Sequence, residues 1–307
     1  MTITNHSIMP TWTCRKMSRR KKSQMIGLVF VAPWIFGFLA FKAIPLGMAC
    51  VLSFEDYNIV SSPFFIGFEN YWTAFHLDEF WQSAKVSILY VLMTVPGKML
   101  FSLFIAYLLS LNVKFIGTFR SVYYIPSLMG SSVAVAILWK FLFMTDGLLN
   151  RILGEMGLSP VGWLTGDYTA LFVVSLQHVW QFGSTMVVFL AALKNVPQSL
   201  KEAARIDGAR EWTIFWHVTV PYITPMVFFN LMTNLVTAFQ EFNSPYVITG
   251  GGPNHATYLM SLMIYQNAFR YLKMGFASAL SIMLFLTITT VTVLLFLSSK
   301  YWVNYQD

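Results

Sequence analysis

Charge is scarce in this sequence. Only 11% of its 307 residues are Asp, Glu, Lys or Arg, against roughly 25% in soluble domains. With 56% hydrophobic residues, too little charge remains to cover a soluble core, so the bilayer must be the solvent for much of the surface. Cysteine is rarer still. Cys14 lies in a polar N-terminal segment and Cys50 in an apolar run, which excludes a disulfide framework. The five histidines, His6, His76, His178, His217 and His255, are scattered without metal-ligand spacing. No G-x-x-x-x-G-K-[ST] occurs, so the chain has no P-loop to cradle ATP phosphates. No nucleophile–base pair can be argued, and there is no internal repeat, low-complexity tract or soluble domain. An enzyme is not expected. The formal net charge of +7 would suggest nucleic acid in a soluble protein; here no nucleic acid is implied, and what matters is where the positive charges fall.

What is present is long apolar runs. Six spans are expected, at about 25–54, 84–110, 120–144, 169–194, 222–248 and 276–302, each longer than the roughly 20 residues that cross a bilayer. The expected fold is therefore all-α and integral to the membrane. The basic cluster Arg15, Lys16, Arg19, Arg20, Lys21 and Lys22 precedes the first run, which is too long for a signal h-region and reads as an uncleaved span. Residues 1–24 form an N-terminal segment and 25–307 a six-span domain. Lys and Arg concentrate in that segment, in the second-to-third connection (Lys114, Arg120), in the fourth-to-fifth connection (Lys194, Lys201, Arg205, Arg210) and at Lys300. Most acids lie in the other connections. Positive charge is retained in the cytoplasm, so both termini and the long fourth-to-fifth connection are expected there. Arg270 and Lys273 run against this bias.

Two external connections exceed simple turns. Residues 58–83 carry Phe68, Tyr71, Trp72, Phe75, Phe80 and Trp81, which suit an interfacial helix in the aromatic belt or a surface for an external partner. Gly250-Gly251-Gly252-Pro253 ends the fifth span, and residues 258–269 read as a short amphipathic helix.

The fourth-to-fifth connection, about 195–221, is the most informative stretch. Ser199 and Glu202 have capping-box spacing. Ala203 and Ala204 favour helix with almost no side-chain bulk, and Asp207-Gly208 is a helix-stop signal. A second helix over 209–218 carries Trp212, Phe215 and Trp216. Small residues at Ala203, Ala204, Gly208 and Ala209 suit a backbone that another protein approaches closely; the plainer alternative is a well-capped surface loop.

Glu202-Ala203-Ala204, Asp207-Gly208-Ala209, Phe215 and Val220-Pro221 resemble the EAA loop of ABC importer permeases. Residues 119–126 (FRSVYYIP) and 249–257 (TGGGPNHAT) resemble the first permease subunit of maltose-type sugar importers. The likeness covers most of the chain from about Gly27. It implies a type I importer core in a bacterial or archaeal cell (inner) membrane. It further implies a second, related permease, two ATPase subunits carrying ATP and Mg, an extracytoplasmic solute-binding protein, a carbohydrate substrate, and no cofactor on this chain. Carried over residue by residue, Glu202, Ala203, Ala204, Arg205, Asp207, Gly208 and Ala209 would form the ATPase-docking elbow. Arg205 is read as an i,i+3 partner of Glu202 or a solvated charge.

Polar residues inside spans are functional candidates by default. Asn230, Asn234, Thr237 and Glu241 are spaced to share one helix face. The resemblance places Trp180, Gln181, Ser184, Asn234, Thr237 and Glu241 at the sugar-contacting positions, matching in position and only partly in residue type. The alternative is interhelical hydrogen bonding, about 0.6 kcal/mol on average. Lys42 and Lys140 are placed toward the external ends of spans, where they snorkel. Lys98 is nearer mid-membrane and needs a carboxylate, a carbonyl or water. A permease for glycerol phosphate or another polar solute is the variant within the class. An ion-coupled secondary transporter using Glu241 or Lys98 is the rival outside it, and leaves 202–221 unexplained.

Overall fold

The computed structural model describes residues 19–111, 116–130 and 132–304. Cys14, Arg15, Lys16 and Lys114, with residues 1–18 of the 1–24 segment, lie outside the described residues.

Apolar length decides the architecture. The helical runs Ile26–Leu52, Asp78–Ser110, Val133–Glu155 and Met274–Trp302 are each long and apolar enough to cross a membrane. Two bent pairs complete six: Asp167–Trp180 with Gly183–Asn195, bent by 48°, and Glu211–Tyr222 with Thr224–Phe239, bent by 67°. Residues 1–48 and 49–307 are separate compact units. The described part of the first is the helix Arg19–Phe38 running into a wider turn at Leu39–Ala43.

Within 49–307 the helix Asp78–Ser110 is central and packs on both halves of the fourth span and on the fifth. It starts six residues before the expected position because Asp78 and Glu79 fill its first turn, where carboxylates complement the free N–H groups. At 33 residues it is about 50 Å long and emerges from the hydrocarbon. Its buried face, Val86, Tyr90, Val91 and Val95, meets Leu171, Val173 and Val174 of the fourth span and Leu235 and Ala238 of the fifth.

Three expectations are corrected. The third span is not one helix over 120–144 but Ile116–Met129 and Val133–Phe143, parted at Gly130. The Gly130 carbonyl accepts from Gln177 Nε2 (3.2 Å) and Gln181 Nε2 (2.9 Å) of the fourth span, so tertiary contacts replace the helix ladder there. The fifth span does not continue helically to 248. Its helix stops at Phe239, and a short turn resumes at Pro245–Thr249. The second helix of the connection starts at Glu211 rather than 209 and runs on to Tyr222, where Pro221 and Pro225 bracket the sharp bend.

The two ends of the bundle differ. At one, Phe215 packs edge-on to Tyr107 (4.8 Å), and the Asn304 N–H donates to Thr224. At the other, Glu55–Asp56 and Phe64–Phe65 form a small antiparallel ribbon, and the helix Glu69–His76 exposes Trp72 and Phe75. The short helix expected over 258–269 occurs as Met260–Tyr265 continued by a wider turn Gln266–Arg270.

Candidate functional site

The connection at the first end folds as a helix–turn–helix elbow. Its first helix is Gln198–Ile206, and Pro197 stands at the N-cap with no side-chain cap bond. The capping box expected from Ser199 and Glu202 therefore does not form: the helix begins at Gln198, one residue before Ser199, and Glu202 is left exposed. The stop signal works as its chemistry dictates. Gly208 has φ +81°, its N–H bonds to the Arg205 carbonyl, and the Ala209 N–H bonds to the Ala204 carbonyl, both at 3.0 Å. This is the Schellman pattern, which needs a residue free to be left-handed.

Glu202, Ala203, Arg205, Asp207 and Gly208 are exposed, while Ala204 and Ala209 are partly covered. Arg205 does not bond Glu202. Its Nε donates to Glu211 Oε1 at 2.8 Å, across the turn, because the reversal brings the second helix nearer than the next turn of the first. A cleft of about 340 Å³ opens between the elbow and the bundle, lined by Tyr107, Leu193, Lys201, Arg205, Glu211 and Phe215.

The polar residues of the spans separate into two sets. Ser184 and Thr237 are exposed, and Trp180 and Gln181 are half-buried. Trp180 meets Trp139 edge-on at 6.0 Å. Asn234 is turned into the bundle, donating to Thr185 Oγ1 (3.0 Å) and to the Asn230 carbonyl (2.8 Å), so for it the interhelical bond prevails. Asn230 is buried as well. The expected common face is thus split, Asn230 and Asn234 inward and Thr237 outward. Thr233 and Gln240 are also exposed beside Thr237.

Glu241 sits in the gap after Phe239 and faces inward. Its Oε1 accepts from the Ser244 N–H (3.0 Å) and hydroxyl (2.9 Å), capping the following turn, while Oε2 lies 3.4 Å from His178 Nδ1. Ser244 Oγ also lies against Gln177 Oε1, so its one proton is shared between that amide oxygen and the Glu241 carboxylate. Lys98, 6% exposed, feels the Glu241 carboxylate electrostatically but forms no ion pair with it among the described residues. Glu241→Ala uncaps the turn and removes the carboxylate beside the His178 ring and within electrostatic reach of Lys98. A loss of about 3–5 kcal/mol is expected, as for breaking a buried pair. Glu241→Gln, which keeps an acceptor for Ser244, should lose less. Melting of the detergent-solubilised assembly decides it, and an unchanged midpoint in Glu241→Ala refutes the pairing.

The break in the fourth span is held by side chains with no sequence signal. Ser127 Oγ donates to the Gln181 carbonyl (3.0 Å) and accepts from the Ser184 N–H (2.9 Å), and Ser102 Oγ donates to the Phe182 carbonyl (3.1 Å). Free backbone groups at mid-membrane are thereby satisfied from neighbouring helices. Gly183 lies so close to the third span that a Cβ there would stand 2.4 Å from the Tyr123 carbonyl oxygen. Ser127, Ser102 and Gly183 were not identifiable beforehand, since their partners are up to 80 residues away.

The model of the family described as binding-protein-dependent transport system inner membrane component matches residues 71–303. The chain is similar to the probable ABC transporter permease protein YesP of Bacillus subtilis (strain 168). That match is 41% identical over 297 residues and covers 95% of this chain and 96% of that protein. It is 31% identical over 274 residues to the trehalose/maltose transport system permease protein MalF of Thermococcus litoralis, covering 87% and 91%. In fold it resembles a chain from the crystal structure of a bacterial alginate ABC transporter in complex with an alginate pentasaccharide-bound periplasmic protein. There the TM-score is 0.77 at 20% identity, covering 95% of this chain and 99% of that one.

Proposed function

We propose, from the premise that the chain belongs to the family of binding-protein-dependent transport system inner membrane components, that it forms half of a carbohydrate pathway. The protein is a membrane-embedded permease subunit of an ABC importer, not an enzyme. The exposed elbow at Gly208 is the observation that carries the mechanism. Its small-residue helix is shaped to enter a cleft on a separate ATPase, with Glu202 as the charge that pairs there. ATP and Mg belong to that subunit. Closure of two ATPases then moves this chain and a second, related permease as levers, which alternates access to the pathway. Both termini and the elbow are cytoplasmic in this reading, and a solute-binding protein delivers from the opposite side.

Substrate contacts are assigned to Trp180, Gln181, Ser184 and Thr237, with Asn234 and Glu241 acting behind them as supports. Ser184 and Gln240 present polar groups outward, which a lipid-facing surface disfavours and a polyhydroxylated ligand suits, while the exposed Thr237 hydroxyl bonds back to the Thr233 and Asn234 carbonyls. The trehalose/maltose name of one relative and the arabinooligosaccharide name of another support a carbohydrate over glycerol phosphate. Family membership sets aside the ion-coupled transporter.

The test is copurification with the ATPase subunits, followed by oligosaccharide-stimulated ATP hydrolysis. Trp180→Ala with Thr237→Ala should leave assembly and basal hydrolysis intact and lower sugar-stimulated transport about tenfold, or about 1.4 kcal/mol. Normal transport by that double variant removes the pocket assignment.

A further inference from the structure

The Gly250–Gly252 loop takes no part in the elbow or in the contacts assigned above, yet it encloses a basin. About 400 Å³ is open there, within the range of small-ligand sites. Gly250 and Gly251 have φ +65° and +94°, and Asn254 and His255 follow at +44° and +58°. The backbone N–H groups of Asn254 and His255 make no hydrogen bond among the described residues.

The rim adds a cation. Arg270 is exposed, forms no ion pair among the described residues, and lies 6.0 Å from the Tyr271 ring. The Tyr258 hydroxyl donates to Gln266 Oε1 (3.2 Å), leaving the Gln266 amide nitrogen to donate elsewhere. Asn254 is tied to Asp167 at the head of the fourth span (3.3 Å), so the basin is anchored beside the pathway helices. The neighbouring cavity is opposite in character, with Asp56, Glu69 and Glu79 against a single Lys273. Asp167 brings a carboxylate to the Asn254 side of the basin, so an anion there is favoured only at Arg270. Amides, two tyrosines and a guanidinium suit a sugar that bears a carboxylate.

We propose that this basin is a second carbohydrate subsite, at the outer mouth of the pathway, that binds a uronate carboxylate on Arg270. It rests on the carbohydrate reading given above. Guanidinium and carboxylate match as two parallel hydrogen bonds, which a lysine ammonium cannot reproduce.

The test uses the complete permease–ATPase assembly in nanodiscs without binding protein, titrated with trigalacturonate, its fully methyl-esterified form and maltotriose. The native assembly should bind the acid about tenfold more tightly than the ester. Arg270→Gln should abolish that preference without changing ester binding, Arg270→Lys should keep part of it, and Lys273→Gln should keep it all. Equal affinity for acid and ester, or a preference that survives in Arg270→Gln, overturns the subsite. If maltotriose still binds in that case, the carbohydrate reading stands alone. If none of the three sugars binds, both readings fall.

Discussion

A chain carrying Gly208→Val is expected to reach the membrane but to drive no ATP-dependent uptake. Gly208 holds φ +81°, and a Cβ there would meet nothing within 4 Å, so the defect is in the backbone and not in a clash. An L-residue forced left-handed costs about 1–2 kcal/mol, and a β-branched one is a genuine outlier there. The cheaper course is to abandon the two bonds that close the turn, from Gly208 to Arg205 and from Ala209 to Ala204. The second helix then leaves at another angle, and the Arg205–Glu211 bond across the turn is lost with it. Gly208→Asn, which tolerates the left-handed region, should retain most transport. Glu202→Ala tests the charge separately, since its carboxylate is exposed. Truncating one member of a hydrogen-bonded interface pair costs about 2–5 kcal/mol, so stimulated ATP hydrolysis should fall at least about 30-fold. Retained copurification and hydrolysis in both Gly208→Val and Glu202→Ala would remove the elbow as the docking element.

Gly183→Val is expected to fail earlier, at folding. Any Cβ at this position stands 2.4 Å from the Tyr123 carbonyl oxygen and 2.8 Å from the Tyr124 Cα, both main-chain atoms that no rotamer change can move. Overpacking commonly costs about 1–3 kcal/mol, and more when backbone must shift. Parting the third and fourth spans also frees the Ser127 hydroxyl from the Gln181 carbonyl and the Ser184 N–H, exposing backbone groups at mid-membrane. A lower melting midpoint and loss of assembly are expected, with Gly183→Ala intermediate. Gly117→Ala, where the new methyl meets nothing, is the neutral control. A native midpoint in Gly183→Val would show that the two spans are not this close.

Asn234 and Glu241 show how far reading from residues can go. Both were found as polar groups in an apolar run, which is a local property. Their helical spacing placed them on one face with Thr237, and that holds only while the helix continues. It ends at Phe239, so Glu241 takes its direction from the gap and from the Ser244 turn instead. His178 and Lys98, which face its carboxylate, lie on other spans, and neither could be paired with it in advance.

Membrane residence and the approximate spans follow from the sequence alone, because hydropathy over 20 residues and the length of a crossing are properties of a contiguous stretch. The elbow's turn is equally local, since a glycine after an alanine-rich helix suffices to stop it. Only the tertiary structure decided where the third, fourth and fifth spans break and which polar side chains turn inward. A broken helix loses its phase, and the groups that satisfy each break, Gly130 for Gln177 and Gln181, Ser127 for Gln181 and Ser184, come from chain about 50 residues distant. No periodicity along the chain carries that information.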